Sequence, residues 1–72
     1  MKVYLRKEFV RSRLIRRNVS QNWLATLAGV TSGYMSQLMD GSRCPSPKLR
    51  QRLMEVFPDY KFDDLFRIKE RG

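Results

Sequence analysis

Residues 20–41 read SQNWLATLAGVTSGYMSQLMDG, and the order of caps, apolar positions and glycines in this stretch decides the fold. Ser20 precedes a run in which Leu24, Ala25 and Ala28 recur at helical spacing, so its hydroxyl is placed to cap a helix over Gln21 to Ala28. Gly29 follows where a tight turn needs a positive φ. Thr31 then caps a second helix, from Ser32 to Met39 or Asp40, with Met35 and Leu38 inward and Gly41 as its stop. One residue resists this reading. Gly33 stands in the first turn of the second helix, where glycine costs about 1 kcal/mol relative to alanine.

Working outward, residues 2–5 (Lys2-Val3-Tyr4-Leu5) alternate polar and apolar side chains and read as an extended arm. From about Arg6 to Arg17 a helix buries Phe9, Val10 and Leu14, and Asn18 ends it in the left-handed conformation. Beyond the central stretch, Ser42-Arg43-Cys44-Pro45 is a loop. Ser46 followed by Pro47 is the favoured start of a fourth helix, which runs to about Phe57 and buries Leu49, Leu53 and Val56 or Phe57. Pro58 blocks its extension, and Phe62 to Phe66 make one short helical turn, with Asp63 and Asp64 near its start where they suit the dipole. The terminal stretches Val3-Tyr4-Leu5 and Phe66-Arg67-Ile68 are able to pair as a two-stranded sheet, supported by the helices beneath or by a second subunit. The expected fold is all-α: a bundle of about five short helices in one domain, 1–72, with an arm at 1–5, the paired helices at 20–40 and a tail at 66–72.

Size and charge narrow the function. A chain of 72 residues buries a modest core, so a homodimer that shares stability between subunits is expected. Cys44 is the single cysteine and there is no histidine, which excludes an internal disulfide and a standard zinc site and favours a reducing, cytoplasmic setting. No apolar run approaches the roughly 18 residues of a membrane span. The net charge of +8 points to a polyanionic partner. Its distribution is more telling. Lys2, Arg6, Lys7, Arg11, Arg13, Arg16 and Arg17 form one basic block, and Arg43, Lys48, Arg50 and Arg52 form another, while residues 19–42 contain neither Lys nor Arg. Solvated helix faces account for some of these residues; two blocks around a neutral segment also suit phosphate clamps flanking a reading element.

The restrictive positions of residues 21–40 are those of a DNA-binding helix-turn-helix, whose second helix lies in the major groove: small Ala25, Gly29 at the turn, and Leu24, Ala28, Val30, Met35 and Leu38 between the helices. Through VSQNWLATLAGVTSGYMSQLMDGSRCPSP and the closing FDDLF, the chain from about Val10 to Phe66 resembles the Cro and phage-repressor (Xre-like) regulators. That resemblance implies a compact bundle of about five helices that binds a two-fold symmetric operator as a dimer. Two departures from the family pattern stand out. Many members carry an arginine at the position of Leu14 and a glutamate at that of Met39, joined as an ion pair; the paired apolar change here suggests that Leu14 and Met39 touch. Trp23, usually polar and exposed in the family, forms a ridge with Leu27. Either the terminal sheet or the first helix covers this ridge, or it contacts another protein or subunit.

With Met35 and Leu38 inward, Ser32, Gly33, Ser36 and Gln37 turn outward, and the resemblance places base-reading there; Gln37 suits adenine N6 and N7 together. Phosphate contacts are expected from Gln21, Thr31, Tyr34, Ser42, Arg43, Lys48 and Arg17, with Arg16 and the arm residues Lys2 and Arg6 as further candidates. An enzyme is not expected, since no nucleophile–base pair or Gly-rich phosphate loop is present. No cofactor, metal or small-molecule ligand is expected, and no membrane role, because the apolar face of the first helix is needed for the core. The expected function is a sequence-specific transcriptional regulator, a repressor acting on double-stranded DNA. The alternative is a protein-interaction module or antitoxin-like partner protein on the same fold.

Overall fold

The computed structural model describes residues 1–70. Its elements run β1 (Lys2–Leu5), α1 (Lys7–Arg16), α2 (Gln21–Ala28), α3 (Ser32–Asp40), α4 (Pro47–Val56), α5 (Phe62–Leu65) and β2 (Phe66–Lys69). Five short helices and a two-stranded sheet from the two ends of the chain are therefore present among the described residues. Residues 71 and 72 of the expected tail lie outside them.

Local chemistry accounts for each boundary. Ser20 Oγ accepts from the Trp23 N–H at 3.0 Å, Thr31 Oγ1 from the Tyr34 N–H at 3.1 Å, and Ser46 Oγ from the Leu49 N–H at 3.2 Å. These are three side-chain caps on three successive helices. Gly29 (φ 77°) and Gly41 (φ 84°) end α2 and α3 in the left-handed region, and Asn18 (φ 58°) sits there after α1. α1 starts one residue later than expected, at Lys7, and Arg6 is tied instead to α5 and the start of β2. Its backbone N–H donates to the Leu65 carbonyl at 2.8 Å, and its Nε donates to the carbonyls of Asp63 (2.8 Å) and Phe66 (3.1 Å).

The terminal strands pair antiparallel with Val3 opposite Ile68, Tyr4 opposite Arg67 and Leu5 opposite Phe66. Val3, Leu5 and Phe66 point into the core, so the helices beneath supply the support that an isolated pair lacks. In α4 the choice between Val56 and Phe57 falls to Phe57, which is fully buried. The core gathers Val10 and Leu14 of α1, Leu24, Ala25 and Ala28 of α2, Met35, Leu38 and Met39 of α3, Leu49 and Leu53 of α4, and Leu65 of α5. Leu14 (4% exposed) and Met39 (5%) lie in this same core, where α1 packs on α3. No polar or charged side chain is buried among the described residues, so the core is apolar throughout.

Several arginines of the first basic block brace the fold. Arg13 lies over the rings of Phe9 (4.6 Å) and Tyr60 (5.3 Å) and donates Nη1 to the Tyr60 hydroxyl at 3.2 Å. Arg17 lies over Phe57 (4.9 Å) and donates Nη1 to the Val56 carbonyl at 3.1 Å. With Arg6 bound to carbonyls of α5 and β2, these contacts give part of the first basic block a bracing role.

Candidate nucleic-acid interface

α3 is held from behind and open in front. Met35, Leu38 and Met39 are buried, while Ser32, Gly33, Ser36 and Gln37 are exposed. At about 100° per residue, Gly33 falls near the centre of the outward face, flanked by Ser36 on one side and Gln37 on the other. Apart from its chain neighbours and the helix's own backbone, no atom of the described protein lies within 4 Å of where a Cβ on Gly33 would be. The missing side chain is therefore not required by packing.

Two hydrogen-bonded groups flank this bare centre. On one side Gln21 Nε2, from the first turn of α2, donates to Ser36 Oγ at 3.2 Å, joining the two helices across the turn. On the other side the loop after α3 folds back. The Arg43 backbone N–H donates to the Gln37 carbonyl at 3.2 Å, and Arg43 Nε donates to Gln37 Oε1 at 2.7 Å. The guanidinium of Arg43 lies over the Tyr34 ring, 4.5 Å from its centroid. Ser42 adds a hydroxyl bond of 3.4 Å to the Gln37 carbonyl.

The expected residues are gathered unequally. Tyr34 lies on α3, and Gln21, Thr31, Ser42 and Arg43 border it. Lys48, in the first turn of α4, shares a hollow with Gly29, Val30 and Tyr34 beside the turn. Arg17 is not brought to this face. Its guanidinium is fixed at Val56 and Phe57, in a groove with Trp23, Leu27, Arg52 and Glu55. Lys2 lies on β1 and Arg6 is bound to the sheet, so neither forms a free arm.

Sequence reasoning missed three charged residues at the C-terminal end of α3. Asp40 lies on the exposed side of the helix, and Lys7 and Arg67 line the same hollow as Asp40 and Gly41. The Ser42 hydroxyl, the Ser42 backbone N–H and, more weakly, the charge of Lys7 hold the Asp40 carboxyl below its ordinary range. Ser42 N–H donates to Asp40 Oδ1 at 2.8 Å. An Asx turn after a helix is a readable signal for Asp40. Lys7 is legible only as a member of the first basic block, and nothing in the sequence joins it to Arg67, 60 positions away.

The Trp23–Leu27 ridge, expected either to be covered by the terminal sheet or first helix or to contact a partner, is partly packed and partly open. Trp23 is half-buried against the core and Leu27 is 50% exposed, in a shallow groove bordered mainly by α4 and by Arg17 just past α1. Cys44 is a free, half-buried loop residue. Among the described residues no group of His, Cys, Asp or Glu is arranged to hold a metal, and no helix is long and apolar enough to cross a membrane.

No family model matches the chain, and no solved structure matches it. A protein of Bacillus subtilis (strain 168) named "Uncharacterized HTH-type transcriptional regulator YvzC" is 29% identical over 65 residues, covering 90% of this chain and 83% of that protein. Over nearly its whole length, then, the chain is similar to a helix-turn-helix transcriptional regulator.

Proposed function

We propose that this chain is a sequence-specific double-stranded DNA-binding regulator, acting as a repressor in the cytoplasm, that lays α3 in the major groove. One observation carries the reading: α3 is anchored by three buried side chains and presents Ser32, Gly33, Ser36 and Gln37 outward with nothing of the protein in front of Gly33. A helix so presented fits the groove, and a helix without a side chain at its centre allows close approach to base edges or backbone. Ser32 and Ser36 serve as donors or acceptors of weak discrimination. Tyr34 on α3 and Gln21, Thr31, Ser42 and Lys48 around it supply phosphate contacts that fix register. The similarity to an HTH-type transcriptional regulator supports the same reading.

As in the Cro-like regulators that the sequence resembles, the unit that binds is a homodimer on a two-fold symmetric operator. Selection of binding sites from random duplexes tests this directly. A symmetric motif enriched at moderate salt is the expected outcome, with affinity falling by a log–log slope of roughly −0.9 for each phosphate neutralised. Weak binding to every duplex with no motif would overturn sequence-specific recognition. The half-exposed ridge at Trp23 and Leu27 favours a second reading, a protein-interaction or antitoxin-like module, which that negative result would promote.

A further inference from the structure

Gln37 and Arg43 enter the structure as one unit, and this changes what each can do. Arginine carries only donors, so the amide atom of Gln37 facing Arg43 Nε at 2.7 Å is the oxygen. Recognition of adenine by glutamine needs that same oxygen to accept from N6 while the amide nitrogen donates to N7. Gln37 therefore meets DNA with one lone pair of its acceptor already engaged by a charge-assisted bond, leaving the other for a base. Arg43 is the complementary case. Its backbone N–H is tied to the Gln37 carbonyl, its Nε to the Gln37 amide, and its guanidinium plane lies over Tyr34.

Ordering a long side chain costs rotamer entropy, and that cost is worth bearing for a two-pronged contact, to a base edge or a phosphate, more than for diffuse attraction to a polyanion. Fixation serves a contact that depends on direction. Among the described residues neither Nη of Arg43 has a hydrogen-bond partner, so the end of the guanidinium remains a two-pronged donor next to the outward face of α3. Two parallel N–H donors match guanine O6 and N7 in the major groove.

We propose that Arg43 reads a guanine through Nη1 and Nη2, and that Gln37 and Tyr34 are positioning residues that hold the fork in place. The proposal rests on the DNA-reading function above and assigns one base of its target.

The test is site selection on random duplexes with the full chain and its Arg43→Lys, Gln37→Ala and Gln37→Glu variants, together with affinity for an unrelated duplex. Arg43 and Gln37 are both exposed, so these changes leave the core untouched. The expected result is a guanine at one position of the selected site. Arg43→Lys keeps the charge but has no fork. It should flatten that position, losing roughly 5- to 150-fold of discrimination, the usual worth of a bidentate base contact, while affinity for the unrelated duplex barely changes. Gln37→Ala should weaken preference at the same guanine, and Gln37→Glu, which still accepts from Arg43 Nε, should keep it.

If the unaltered protein selects a motif and Arg43→Lys leaves every position intact, Arg43 is a phosphate contact and the inference is overturned alone. Loss of an adenine preference in Gln37→Ala, with the guanine retained, overturns the positioning role. If the unaltered protein selects nothing, the DNA-reading function itself fails and this inference goes with it.

Discussion

Arg52 closes over Gly29. From the exposed side of α4 its Nη1 donates to the Ala28 carbonyl at 3.3 Å, on the last residue of α2, and the guanidinium fills the space that a Cβ on Gly29 would take. The turn between α2 and α3 is therefore set by two features. A left-handed φ of 77° favours glycine, and a cation from another helix satisfies a carbonyl that the helix end leaves free.

Gly29→Ala is expected to destabilise the protein by about 1–2 kcal/mol from the left-handed backbone alone. The collision with Arg52 adds to this, so Arg52→Ala in the same background should recover part of the loss. Because the obstructing atom ends a flexible side chain, the recovered part should be the smaller one. Urea denaturation of the two single variants and the double variant measures the coupling, and strict additivity would show that the guanidinium simply moves aside.

Gly33→Ala should behave in the opposite way. The added methyl meets no atom beyond its chain neighbours and the helix's own backbone, and the site is in the first turn of an exposed helix face, so stability should rise by about 1 kcal/mol, or about 4–8 °C in Tm for a domain of this size. Specific DNA affinity should fall if the helix approaches the groove closely at this point. Thermal unfolding and anisotropy titration on the same preparation separate the two effects; unchanged affinity would show that no close approach occurs.

Leu14→Arg places an unpaired charge at a 4% exposed position in the α1–α3 core and is expected to cost about 3 kcal/mol or more. Adding Met39→Glu supplies an opposite charge from α3. If the two positions face each other, the double variant should be clearly more stable than Leu14→Arg alone in denaturant titrations. A double variant as unstable as the sum of its parts would separate the two positions.

Asp40 is an acid on the outward face of α3, the face proposed to meet DNA, and its pKa is lowered chiefly by its hydrogen bonds with Ser42. A depressed folded-state pKa means that its contribution to stability is complete above the ordinary carboxylate value. That contribution fades as pH falls through the lower folded value, so any pH effect from this group lies below about 4. At neutral pH Asp40 is ionised and opposes phosphate. Asp40→Asn should raise affinity for all duplexes by about two- to fivefold at low salt, the range for one exposed charge, with the gain shrinking as salt rises. A change confined to one base position would instead make Asp40 a reader.

What the residues announced locally, the structure contains. Ser20, Thr31 and Ser46 cap helices because a hydroxyl reaches an amide only three positions away, and Gly29 and Gly41 end α2 and α3 because their own φ angles decide it. The apolar spacing of Leu24, Ala28, Met35 and Leu38 likewise names the buried faces, since helical period alone turns them inward. The terminal strands were legible as a possibility from β-forming residues at both ends. Their register followed only once Leu5 and Phe66 shared a core.

Tertiary structure alone decided the work of the arginines. Arg6 reaches carbonyls 57 and 60 positions away, Arg17 one 39 positions away and Arg52 one 24 positions away. A long flexible cation carries no sequence pattern that says whether it faces a phosphate, a carbonyl or an aromatic ring; the packing of the helices chooses. So the two helices and the outward face of α3 could be read from 22 consecutive residues. That Gln37 is occupied by Arg43, and that Arg17 is turned away to Val56 and Phe57, required the folded chain.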